Sequence, residues 1–374
     1  MSGIYLHIPF CKQACHYCDF HFSTNPQLMD KMVDVMCGEL MLQKDYLGKS
    51  SQIKTIYFGG GTPSLLSPGQ LEKLLDAVYE NYAVSPEEVT LETNPDDLTS
   101  EKLQAFKSLG VDRLSIGIQS FNDQILKFCN RAHNAKESVQ SIELAQNAGF
   151  QKLSIDLMYG FPAEDHQIWE RDLQKAMEID AGHISSYCLT IEPKTAFGVW
   201  AEKGKIHPNS DDFNAEQFEM LQEKMESNGY VQYEISNFGK PDAFAIHNSN
   251  YWKGVPYLGI GPSAHSFDGK NRQHNISNNV KYIKGIENDS PAIISDPLTD
   301  DDIINEYILT SLRTIWGTDL ELLRNRHQLD LLGKHEPLIQ TLQNEGLLVI
   351  RERKVILTKQ GKLLADLIAE KLFI

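Results

Sequence analysis

Ile4-Tyr5-Leu6-His7-Ile8-Pro9-Phe10-Cys11-Lys12-Gln13-Ala14-Cys15-His16-Tyr17-Cys18 opens the chain with a β-rich run that passes, through a proline, into a loop carrying three cysteines. The run at 4–8 reads as a strand. The thiols after it fall at spacings of four and three on one tight loop. A cubane iron-sulfur cluster needs soft thiolate donors close together, and three cysteines leave one of its irons without a protein ligand. That iron is free to chelate a substrate. Zinc is the competing reading, together with coincidence. Structural zinc sites prefer paired C-x-x-C units and a fourth Cys or His, which His16 could supply only with strain.

Working outward, the same strand-then-loop unit repeats. Further strands are expected at 53–58, 89–93, 113–117, 153–157, 184–190 and 231–235, separated by helices at 28–46, 70–82, 100–109, 136–148, 165–179 and 213–227. Such alternation implies an α/β fold with a parallel sheet. Leu71, Leu74, Leu75 and Val78 recur at helical spacing and mark the face that packs on it. The polar residues of interest cluster at the strands' carboxyl ends: Cys11 and Gly59-Gly60-Gly61-Thr62-Pro63 follow the first and second, Glu92 ends the third, Gln119 follows the fourth and Asp156 ends the fifth. A partial or closed barrel brings those carboxyl ends to one mouth. An open doubly wound sheet also binds ligands at its carboxyl ends. Either arrangement predicts one shared site.

Three regions are expected: 1–235 as the barrel, 236–298 as an irregular, aromatic and Gly-rich connecting segment, and 299–374 as a mainly helical unit. The last has two short strands around the charged turn Arg351-Glu352-Arg353-Lys354, followed by a final helix, and reads as winged-helix-like. Such units often bind DNA, but the chain has 374 residues with 35 Lys+Arg against 51 Asp+Glu, a formal charge of −16. That balance argues against nucleic acid or an anionic membrane as a partner. No apolar run approaches the ~18 residues that span a bilayer, and the N-terminus has no secretory pattern. A reducing cytoplasm is the expected setting. The remaining cysteines, Cys37, Cys129 and Cys188, read as small core residues.

The Cys-x-x-x-Cys-x-x-Cys spacing followed by Phe20 resembles the signature of radical S-adenosylmethionine enzymes. Five further stretches extend the likeness over most of the chain: Ile8-Pro9-Phe10, Phe58-Gly59-Gly60-Gly61-Thr62-Pro63-Ser64, Glu92-Thr93-Asn94-Pro95, Ser115-Ile116-Gly117-Ile118-Gln119-Ser120-Phe121 and Asp156-Leu157-Met158-Tyr159-Gly160-Phe161-Pro162. Together they resemble the oxygen-independent coproporphyrinogen III oxidase group of porphyrin biosynthesis and, within it, the HemW-type haem chaperones. The resemblance implies a partial parallel (β/α) barrel of radical S-adenosylmethionine type. It implies a 4Fe-4S cluster on Cys11, Cys15 and Cys18, and S-adenosylmethionine held by Tyr5, Phe20, Gly60, Gly61, Thr62, Glu92, Gln119, Arg131 and Asp156. In that family the reduced cluster cleaves the sulfonium to a 5′-deoxyadenosyl radical.

Two departures separate the chain from the oxidase. Phe20 stands where the oxidase has a further cysteine, and only ten residues precede Cys11, too short an arm to close over a tetrapyrrole. The chaperone branch instead shows His247-Asn248-x-x-Tyr251-Trp252, which makes His247 a haem contact by resemblance. On chemistry alone, a histidine among aromatics is as often a packed domain boundary. The resemblance implies haem as cargo, apo-haemoproteins of the respiratory chain as acceptors, a flavodoxin or ferredoxin as electron donor, and membrane contact only through a partner. No catalytic residue is assigned. The rival readings are coproporphyrinogen III dehydrogenase, an oxidoreductase, and a DNA-binding regulator with an iron-sulfur sensor.

Overall fold

A computed structural model describes residues 1–374. Six strands, β1 (Ser2–Ile8), β2 (Ile53–Gly60), β3 (Val84–Thr93), β4 (Arg113–Gln119), β5 (Lys152–Tyr159) and β6 (Gly182–Cys188), pair parallel in sequence order. Helices α1 (Met29–Leu42), α2 (Pro68–Asn81), α3 (Ser100–Ser108), α4 (Asp123–Phe128), α5 (Ala135–Asn147) and α6 (Gln167–Ile179) make the crossovers. A doubly wound sheet must reverse its strand order part-way. This one does not, so right-handed crossovers lay the helices on one face and the sheet curves into a partial barrel.

The strands sort their side chains accordingly. Ile4, Leu6 and Ile8 of β1 are buried with Met32, Met36 and Leu40 of α1. All four residues of the helical stripe, Leu71, Leu74, Leu75 and Val78, are buried in α2, whose start carries a capping box between Ser67 and Gln70. Each such burial contributes roughly 1.5–3 kcal/mol. The concave face is polar. Parallel registry sets Tyr5 beside Tyr57, Glu92 beside Ser115, and Asp156 between Gly117 and Ser185.

Two expectations change at the flanks. Residues 231–235 do not form a seventh parallel strand: Val231–Glu234 turns back at once onto Asn237–Gly239, which pairs antiparallel with β6. Two intervening residues suit a hairpin, whereas a parallel neighbour needs a crossover of a dozen or so. The segment 236–298, expected to be irregular, carries a helix, Ile246–Trp252, and then continues the sheet from its other edge. Tyr257–Ile260 pairs parallel with β1, and His265–Phe267, Asn271–Asn275 and Ile293–Pro297 follow antiparallel. These short strands are half polar because only one of their faces packs on helices, so they lack the apolar runs of β1 to β6.

Residues beyond Thr299 bury a separate core that includes Ile308, Leu312, Leu323, Val355 and Ala369. Thr299 caps Asp300–Leu312 in a capping box with Asp302. Leu348–Arg351 and Lys354–Leu357 pair around the charged turn, with Thr318–Asp319 as a third strand. This unit is tied to the barrel edge by Arg313, which bonds Glu234 at 3.2 Å and Asp366 at 2.5 Å.

Candidate functional site

The cluster loop is anchored from several sides. The Cys11 N–H donates to the Ser23 carbonyl at 3.0 Å, and the Cys18 N–H to the Cys15 carbonyl at 3.3 Å. His16 Nδ1 bonds the Phe128 carbonyl at 2.8 Å, and its ring packs edge-on against Trp200. The glycine run supports the same loop. Gly60 sits at φ +106 with the His7 ring 2.7 Å from where a Cβ would stand, and a Cβ on Gly61 would meet the Phe10 carbonyl at 2.6 Å. The Thr62 N–H donates to that carbonyl at 2.7 Å. These residues hold the loop against the end of β1, a role that does not require the glycines to face a ligand.

Arg131 joins the loop to the strand ends. Its Nη1 donates to Cys15 Sγ at 3.4 Å and Tyr17 Oη at 3.3 Å, and its Nη2 to Asn94 Oδ1 and the Gly117 carbonyl, both at 2.7 Å. The β4 register slips between Gly117 and Gln119. Gln119 there takes φ 69, a left-handed conformation costly for a side-chain-bearing residue.

Below the loop lies a cavity of about 230 Å³ lined by Tyr5, Tyr57, Glu92, Ser115, Asp156 and Tyr187, among others. Glu92 accepts from Tyr57 Oη at 2.7 Å and from the Gly60 N–H at 3.2 Å. Burial pushes its carboxyl up to about 7, and the charge of Asp156 adds to the rise. Asp156 accepts from Ser115 Oγ at 3.2 Å and is pushed up to about 6, again chiefly by burial. Two carboxyls with raised pKa in one cavity are acceptors in wait of donors or a cation. Burial also lifts the Cys11 thiol to about 11 and Cys18 to about 12, and a bound cation reverses that logic by stabilising thiolate.

The sequence-predicted residues thus converge except for two. Phe20 is 68% exposed and stands clear of the cavity. His247 lies toward the amino-terminal ends of the strands, packed against Tyr57 with ring centroids 5.0 Å apart, on a helix whose Asn248 and Tyr251 line the same cavity. Its Nδ1 bonds Thr55 Oγ1 at 2.8 Å, its Nε2 bonds Tyr251 Oη at 2.9 Å, and the ring is buried. To ligate haem iron it would first have to give up one of those bonds. Tyr57, Tyr17 and Asn94 were missed. Tyr57 could have been found by its place two residues before Gly59 on the concave face, and Tyr17 by standing between two cluster cysteines.

Residues 5–176 match the Radical SAM superfamily, and residues 298–364 match the HemN C-terminal domain. The chain is 37% identical over 372 residues to the heme chaperone HemW of Bacillus subtilis (strain 168), covering 98% of this chain and 97% of that protein. It is 37% identical over 266 residues to the heme chaperone HemW of Escherichia coli (strain K12), covering 70% and 69%. The solved coproporphyrinogen III oxidase HemN from Escherichia coli superposes with a TM-score of 0.85 at 23% identity, over 100% of this chain and 90% of that one, which shows a shared fold. End-to-end likeness to the Bacillus protein, on a singly wound half-barrel whose cysteine loop closes over paired carboxyls, makes this chain a radical SAM protein of the HemW family.

Proposed function

We propose that the chain is a haem chaperone that holds a 4Fe-4S cluster and S-adenosylmethionine and passes haem to apo-haemoproteins such as those of the respiratory chain. The observation that carries this reading is the end-to-end similarity to the HemW heme chaperone of Bacillus subtilis. Cys11, Cys15 and Cys18 would hold the cluster, and the donor set fits it. Three soft thiolates on one loop suit the separate irons of a cubane and leave one iron open. S-adenosylmethionine also finds matching groups. Arg131 Nε is buried without a partner and is free to donate to a carboxylate. Glu92 and Asp156 can accept from ribose hydroxyls or an ammonium, Thr62 and the glycine run hold the loop above them, and Tyr5 and Gln119 close the sides. When bound, the cluster supplies one-electron reduction of the sulfonium, with a flavodoxin or ferredoxin as the fitting electron source.

The chain's own groups do the positioning. Arg131 fixes Cys15 to the ends of β3 and β4, so the loop and the carboxyls keep one distance. Tyr57 and the Gly60 N–H aim Glu92. The test is anaerobic purification with quantification of iron, sulfide and haem, followed by haem titration and transfer to an apo-cytochrome. The expected result is cluster iron lost in Cys15→Ala, haem bound, and haem released to the acceptor. Conversion of coproporphyrinogen to protoporphyrinogen by the reduced protein would overturn the reading in favour of an oxidative decarboxylase.

A further inference from the structure

The concave face does not end at the cluster loop. Gly259 lies beside Tyr5, and Phe267 pairs with Tyr257, two residues before Gly259. Residues directly opposite one another in a sheet project from the same face, and the alternation repeats every second residue. His265 pairs with His274, His274 with Ile294, and Phe267 with Arg272. All five side chains therefore stand on the same face as Tyr5, on the flank next to the mouth. The reverse face is taken up by packing: Gln273 donates to Gln43 at 2.9 Å, and Ser266 Oγ accepts from the Gly259 N–H at 2.9 Å.

This flank has the composition an iron porphyrin asks for. His265 is exposed, and its imidazole stacks on that of His274 with centroids 5.0 Å apart and planes 24° from parallel. His7, His21, His183 and His247 each spend ring nitrogens on hydrogen bonds, whereas the stacked pair makes none. Ile294, 50% exposed, extends an apolar surface next to His274. Arg272 places a guanidinium two residues along, where Glu306 at 3.0 Å takes only part of its donor capacity. An imidazole nitrogen serves the iron, apolar side chains cover the macrocycle and a guanidinium meets a propionate.

We propose that His265 is the axial ligand of the haem cargo, with His274 stacked behind it, Ile294 against the ring and Arg272 at a propionate. This rests on the haem-chaperone reading above. Both imidazoles rise from one face, so a single iron takes only one of them, and the opposite coordination position stays open to a ligand of the acceptor.

Haem titration of the full-length protein, followed by its Soret band, tests the assignment in wild type, His265→Ala, His265→Ala/His274→Ala and His247→Ala. Cluster iron and far-ultraviolet circular dichroism are recorded for each. Affinity is expected to fall roughly tenfold or more in His265→Ala and further in the double variant. Added imidazole should restore the Soret position, while His247→Ala with a preserved fold keeps wild-type binding. A double variant with wild-type band and affinity would overturn the assignment and leave the chaperone reading standing. Wild type that binds no haem at all would overturn both.

Discussion

Replacing Glu88 by Gln tests whether the helix carrying His247 is held by a buried ion pair. Arg113 Nε lies 2.8 Å from Glu88 Oε2, with side-chain exposures of 3% and 0%. Glu88 also accepts the N–H groups of His247 at 2.9 Å and Ile246 at 3.0 Å. Arg113 in turn donates to Ser154 Oγ and to the carbonyls of Ala243 and Phe244, each at 3.1 Å. Glutamine keeps the shape and one acceptor oxygen but leaves a guanidinium without its counter-charge. Neutralising one member of a buried pair costs about 3–5 kcal/mol. The carbonyls already on Arg113 and the retained amide oxygen place this variant near the lower end, about 3 kcal/mol. At an m-value of roughly 3 kcal/mol/M the urea midpoint should fall by about 1 M. Arg113→Met should cost a similar amount, and the double variant less than the sum by about 2 kcal/mol. Circular dichroism with tryptophan fluorescence follows the transition. Single variants that lose under about 1 kcal/mol and add without coupling would show that the pair does not hold the helix.

The raised carboxyl of Glu92 gives a pH dependence with a definite sign. Its pKa rises from 4.5 unfolded to about 7 folded, so the unfolded state releases its proton first and stability is lost as pH climbs through that window. Glu92→Gln should flatten the slope in apo-protein urea titrations, and an unchanged slope would exclude Glu92 as its source. Gly61→Ala drives a methyl into the Phe10 carbonyl, an overpacking of about 1–3 kcal/mol; iron retained after reconstitution should drop well below wild type. Arg313→Ala removes the link between Glu234 and Asp366 and uncovers the Trp252 ring 5.1 Å beneath the guanidinium. Limited proteolysis should then cut near residue 299 faster, and equal rates would show that other contacts hold the C-terminal unit.

The half-barrel was legible because its strands are buried on both faces and its helices keep a strict apolar stripe, as Leu71 to Val78 do. The cysteine loop was legible because it follows a strand, and the carboxyls because Glu92 and Asp156 lie in runs that read as strands. The edge strands were not: Asn271–Asn275 is polar on both faces and reads as loop. Strand direction at 231–235 was also hidden, since pairing depends on the neighbour rather than on the run itself. His247 illustrates a third limit. Its aromatic company is equally compatible with a ligand site and a packed boundary, and only the positions of Thr55 and Tyr251 show which atoms its nitrogens meet. Tyr57 needed the parallel registry that sets it beside Tyr5.

A complete eight-stranded ring would fix the aperture of its mouth by hydrogen bonds running all the way round. Here the parallel run stops at β6, and both borders are finished by antiparallel ribbons of unequal size. The cysteine loop and the paired carboxyls therefore sit on the central parallel panel, while the breadth and lining of the opening are set by the ribbons that flank it. A change confined to one ribbon alters the opening while Cys11, Cys15, Cys18, Glu92 and Asp156 keep their places.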